Sequence, residues 1–162
     1  MFRSQIPVVI LICLGGCPVQ DAALIGTPDT SPLAKGIYSG QIATTLRTIS
    51  ATGTTEQTSE ETVTLAISER GIPIVDGAEI TTGRIIRANL GSFTQTITYR
   101  SVLVTDDGVI ITSDVANSNG SAGVAVATFR PNGTDSIVYT LEQDIRSDVE
   151  RLAASSQGVL SK

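Results

Sequence analysis

A chain of 162 residues with no histidine, no tryptophan and a net charge of −5 excludes several functions before any motif is read. The commonest zinc ligand, the usual general base near neutral pH and every Ser-His or Cys-His pairing are missing, so an enzyme is not expected. An acidic balance without a basic cluster argues against nucleic acid as a partner and against a polybasic hold on a membrane.

The first element is a leader. Arg3 precedes the mostly apolar run Ile6–Leu14, which closes on Gly15, Gly16 and Cys17. Charge, short apolar core and small residues, in that order, form the pattern of a secretion signal. The run is about half of the roughly 20 residues that span a bilayer, which argues against a permanent membrane helix. Leu14-Gly15-Gly16-Cys17 resembles the lipobox of bacterial lipoproteins, with a large apolar residue three before the cysteine and small residues between. The resemblance implies removal of residues 1–16 as a signal peptide and a diacylglyceryl group on the Cys17 thiol. It also implies an anchor in a bacterial cell envelope. Pro18 stands where an Asp would resemble an inner-membrane retention signal, so the resemblance implies the outer membrane. Buried acyl methylenes contribute about 0.8 kcal/mol each, and two or three chains hold a protein where one does so marginally. No cofactor is expected beyond this covalent lipid. Cys13 would leave with the signal, so no intrachain disulfide would remain.

Residues 17–35 read as the lipidated cysteine and a flexible tether, with prolines at 18, 28 and 32 and no sustained periodicity. From Gly36 the pattern alternates, as half-buried strands do. Tyr38, Gly40, Ile42, Thr44 and Leu46 share one face. The Thr/Glu-rich stretch 50–61 predicts a loop or a long exposed hairpin tip. Val63, Leu65 and Ile67 alternate again. Turn chemistry follows at Glu69-Arg70-Gly71 and at Asp76-Gly77, with Pro73 between them marking an edge or a bulge. Arg84–Arg87 is ambiguous. Phe93, Ile97, Tyr99 and Leu103 mark one face of a long strand, and Asp106-Asp107-Gly108 predicts a hairpin into Val109–Thr112. A loop at 117–120 and a second hairpin at 131–134 complete an antiparallel β-domain over 36–146. In the remaining 147–162, Ser147-Asp148-Val149-Glu150 has the form of a capping box and predicts a short helix over 148–155, then a disordered tail.

These elements predict an all-β antiparallel meander of about 7–8 strands. A sheet of that size protects its edges by closing or folding over, and sequential connections favour a closed, lipocalin-like barrel over a sandwich. Gln95, Tyr99, Tyr139 and Gln143 fall in the alternation phase of the predicted interior, where they would line a cavity for a small apolar ligand. The plainer reading puts the glutamines near strand ends in water and lets each Tyr hydroxyl reach the surface. No metal site is expected: Asp114–Gly120 lacks the carboxylate spacing and terminal Glu of a calcium loop. The Glu60-Glu61 and Asp106-Asp107 pairs read as solvated charges. The functional expectation is therefore a lipid-anchored envelope lipoprotein displaying a β-domain for structural or protein-binding purposes. The alternative is a lipocalin-like carrier of a small apolar ligand. An envelope hydrolase is the weakest reading.

Overall fold

The computed structural model describes residues 31–162. The expectations for Leu14, Gly15, Gly16 and Cys17 lie outside the described residues, as does the expected tether up to residue 30. Its last part, 31–35, is instead docked on the domain, with Leu33 buried in the core and the Ser31 N–H donating to the Arg70 carbonyl at 2.9 Å.

Ten strands follow one another without a helix among the described residues: β1 (Gly36–Ser50), β2 (Gly53–Ile67), β3 (Pro73–Val75), β4 (Ala78–Glu79), β5 (Ile85–Asn89), β6 (Thr94–Thr105), β7 (Gly108–Asn117), β8 (Ala122–Pro131), β9 (Ser136–Arg146) and β10 (Glu150–Ser161). All belong to one antiparallel sheet ordered β4-β3-β2-β1-β10-β9-β8-β7-β6-β5. Each strand pairs with its successor, and β10 pairs with β1. The exception is the step from β4 to β5, where the chain passes between the two ends of the sheet without a ladder. The expected closed barrel of 7–8 strands is thus a ten-stranded sheet curled into a half-barrel, open at that one seam.

The seam is stitched by a side chain. Arg84, at the entrance to β5, donates from its guanidinium to the carbonyls of Val75 at 2.6 Å, Ala78 at 2.7 Å and Glu79 at 3.1 Å. A fork of fixed N–H groups suits three carbonyls converging from one tight hairpin. That hairpin, β3–β4, turns through Asp76 and Gly77, both with positive φ (48° and 72°), the backbone of a type I′ turn. The predicted Asp-Gly turn is therefore present. So is the Asp106-Asp107-Gly108 hairpin: Gly108 has φ 140°, and a Cβ there would lie 1.9 Å from the Phe129 carbonyl oxygen, leaving room for glycine alone.

Alternation fixes the inner face. Tyr38, Ile42 and Thr44 of β1, Val63, Leu65 and Ile67 of β2, and Ile137, Tyr139 and Leu141 of β9 are all buried. The Tyr38 hydroxyl donates to the Ala34 carbonyl at 2.7 Å, so its burial leaves no orphaned donor. Leu103 departs from its predicted face. A register shift between Tyr99 and Ser101 makes Arg100 an extra residue, and Val102 and Val104 turn inward while Leu103 stays 47% exposed. An inserted bulge residue reverses the phase of everything after it.

The C-terminal expectation is also corrected. Residues 150–161 form the strand β10, held between β1 and β9, rather than a helix and a disordered tail. Ser147 Oγ does accept from the Glu150 N–H at 3.1 Å, the bond a capping box makes, and the Ser147 N–H donates to the Glu150 carbonyl at 2.8 Å. Here the pair closes the β9–β10 turn. Two flanking strands satisfy both edges of β10, which outweighs a local helix signal.

Candidate functional site

Cross-strand rows on the inner face explain why the half-barrel is not solid. One row runs Tyr99, Ser113, Ala125, Gln143, Ala154 across β6, β7, β8, β9 and β10. The next runs Ile111, Ala127, Leu141, Ser156, Thr44. A third runs Val109, Phe129, Tyr139, Gly158, Ile42 and on to Glu61 of β2. Small side chains, Ser113 and Ala125 in the first row and Ala127 in the second, stand between larger ones where the cavity lies. Small residues facing inward from adjacent strands leave volume that curled walls do not refill.

The result is a cavity of about 100 Å³. Val75, Ile97, Ile111, Phe129 and Leu141 supply much of its wall, and the polar groups along it come from Tyr99, Ser113, Tyr139 and Gln143. Among the described residues no Lys, Arg, Asp or Glu lines it. Tyr139 stacks at a tilt on Phe129, with ring centroids 5.3 Å apart and planes at 42°, which fixes the ring against the wall. Burial pushes the Tyr99 phenol up to about 12, moderated by Arg84 and reinforced by Asp76. Tyr139 is raised further still, first by burial and then by the Glu61 carboxylate and Tyr99. Both phenols are therefore neutral hydrogen-bonding groups throughout the physiological range.

Three of the four residues singled out from the sequence, Tyr99, Tyr139 and Gln143, lie along this one cavity. Gln95 does not. It is buried at the far end of β6, where its carboxamide donates to Asn117 Oδ1 at 3.2 Å. The alternation phase places it inward, but the strand carries it past the cavity. Ser113 escapes sequence reasoning: it stands between Ile111 and Val115 in perfect alternation, and only the cross-strand partners Tyr99 and Ala125 reveal its place. Glu61, read from the sequence as a solvated charge at the base of a loop or long exposed hairpin tip, is exposed on the β2 arm of the β1–β2 hairpin, opposite Ile42.

A second polar pair continues the cross-strand row of Ile111, Ala127 and Leu141 beyond the cavity's lining residues. Thr44 Oγ1 donates to Ser156 Oγ at 2.9 Å, both residues being buried. Among the described residues no group of three or more acidic or cysteine side chains gathers in a way that could hold a metal ion. Nor, among them, is any buried side-chain polar atom left without a hydrogen bond.

The edge of β2 is the other distinctive surface. β3 pairs only with Ala66 and Ile67, so from Gly53 to Leu65 the outer edge of β2 has no partner among the described residues. Residues 53–62 are exposed throughout. This long edge carries Glu56, Glu60 and Glu61 among threonines, charges that oppose casual strand pairing.

Comparison with protein-family models, with curated proteins and with solved structures finds no match for this chain.

Proposed function

We propose that this protein is a lipid-anchored lipoprotein of a bacterial envelope whose half-barrel carries a small apolar molecule. The observation that favours carriage over simple display is the cavity: an apolar pocket, free of charged lining residues among those described, in the inner face of a curled sheet. The anchor rests on the lipobox-like Leu14–Cys17 and the leader before it. The outer membrane is the proposed site, from Pro18 after the cysteine. The protein is not proposed as an enzyme, because the chain offers no histidine and the cavity no charged lining group for proton transfer.

Two measurements test this. Intact mass of the protein extracted from its own membrane should match residues 17–162 plus two or three acyl chains, and Cys17→Ala should lose both the lipid and the membrane fraction. An uncleaved or unacylated chain would remove the anchor from the proposal. Mass spectrometry of an organic extract of the purified protein should reveal a co-purifying small molecule. That signal should disappear in Ala125→Leu, which fills the cavity from β8.

A second reading, display of the β-domain to an envelope protein, is favoured by the open edge of β2. Pull-down from envelope extracts with and without Thr58→Pro, which removes one outward-facing donor, separates it from carriage.

A further inference from the structure

The composition of the cavity wall narrows the ligand beyond "small and apolar", a refinement that rests on the carrier reading. An engineered apolar cavity of about 150 Å³ accommodates benzene, so about 100 Å³ sets the scale at one small ring or a short branched chain. A purely hydrocarbon guest would be best served by an unbroken apolar wall. This wall instead includes four polar residues, Tyr99, Ser113, Tyr139 and Gln143. Tyr99 and Ser113 are direct cross-strand partners, and Gln143 lies in the same row, so a guest can meet these groups from one side.

Charge narrows the choice further. A bound anion would find no cation in the wall, and the Glu61 carboxylate stands near Tyr139. A bound cation would likewise find no carboxylate lining the space. Either ion would surrender its hydration without a paired charge, a cost far larger than one hydrogen bond returns. The guanidinium that bears on Tyr99, that of Arg84, already donates to three carbonyls of the β3–β4 hairpin. Neutral phenols, by contrast, are good donors to a carbonyl or ether oxygen.

We propose that the cavity selects neutral molecules of single-ring size bearing one hydrogen-bond-accepting oxygen. Phe129 and Leu141 hold the hydrocarbon part. Tyr99 and Tyr139 donate to the oxygen, and Ser113 and Gln143 supply further polar contacts.

The test uses four probes of matched size on the full chain: cyclohexanone, methylcyclohexane, cyclobutanecarboxylate and cyclohexylammonium, titrated by calorimetry and by amide chemical shifts. Cyclohexanone should bind about tenfold more tightly than each of the others. In the Tyr99→Phe, Tyr139→Phe double variant the gap between cyclohexanone and methylcyclohexane should close to within about threefold, with amide spectra reporting an intact fold. Equal binding of ketone and hydrocarbon by the unaltered protein, or tighter binding of either ion, would overturn the selectivity while leaving carriage in place. Binding of none of the four to a folded protein, together with no co-purifying molecule in the extract, would overturn the carrier reading itself.

Discussion

Thr44 and Ser156, 112 residues apart in sequence, share a buried hydrogen bond between their side-chain hydroxyls in the β1–β10 ladder of the sheet. Neither is accessible to water, so each depends on the other for its polar atom. Ser156→Ala leaves the Thr44 hydroxyl without that partner and should destabilise the domain by about 1–3 kcal/mol. Adding Thr44→Val removes both polar atoms at nearly constant shape, and much of the loss should return. Urea denaturation of the two single variants and the double variant checks this; additive losses would show that the pair does not act as a unit.

Arg84 closes the one step in the strand order that lacks a ladder. Arg84→Met keeps the apolar stem and removes the three donations to Val75, Ala78 and Glu79. The expected loss is about 1–3 kcal/mol, and Arg84→Lys should recover little of it, because an ammonium cannot reproduce the planar fork. Hydrogen exchange should accelerate first in β3, β4 and β5. Acceleration spread evenly over the sheet would mean that the seam is not where the clasp acts.

The cavity phenols predict alkaline behaviour. Tyr99 is pushed from its ordinary value near 10 up to about 12 in the folded protein, chiefly by burial. The fold therefore favours the neutral phenol. That contribution to stability is complete below pH 10 and is lost as pH rises toward 12. The ultraviolet phenolate difference between the unaltered protein and Tyr99→Phe should be flat through about pH 10 and should rise only as pH approaches about 12 or the chain unfolds. A normal phenol step would show that this hydroxyl meets bulk water.

Acid should act elsewhere. On the outer face Asp144 accepts from Arg146 and Arg151, and these bonds hold its carboxyl well below the usual range. The stability from this cluster is present above the ordinary carboxylate value and lost as pH falls below it toward the lowered one. Asp144→Asn should lower the denaturation midpoint slightly at about pH 7, with the deficit shrinking in strong acid and in high salt, since the group lies at the surface. A deficit independent of both would point to packing instead of charge.

How much of this is legible in the sequence depends on whether a signal is local. The inner faces of β1 and β9, and the turns at Asp76-Gly77 and Asp106-Asp107-Gly108, follow from alternation and from residues that tolerate positive φ. Tyr99, Tyr139 and Gln143 share a cavity for the same reason, since phase alone puts them inside. Leu103 is misplaced by alternation because the extra residue Arg100 leaves no mark in composition. β10 is hidden because only Leu152 and Leu160 at the ends of its inward phase are large, with Ala154, Ser156 and Gly158 between them, and because Ser147 makes a helix-type bond in a turn. Gln95 fails at a different level: phase gives the side of the sheet but not the height along it.

The position of β1 has a consequence for the timing of folding. Its one neighbour, β2, follows at once through the two-residue turn at Ala51 and Thr52, whereas its other neighbour, β10, is the last strand of the sheet. As the chain emerges from N- to C-terminus, the first hairpin can form early but must wait, one flank bare, until Glu150–Ser161 emerges. Such long-range closure slows folding by the entropy of the intervening loop. During that wait the unclaimed flank of β1 is open to the wrong strand, from this chain or another. Chaperone demand for this protein should therefore be set by how quickly Glu150–Ser161 arrives, more than by the strength of any strand already made.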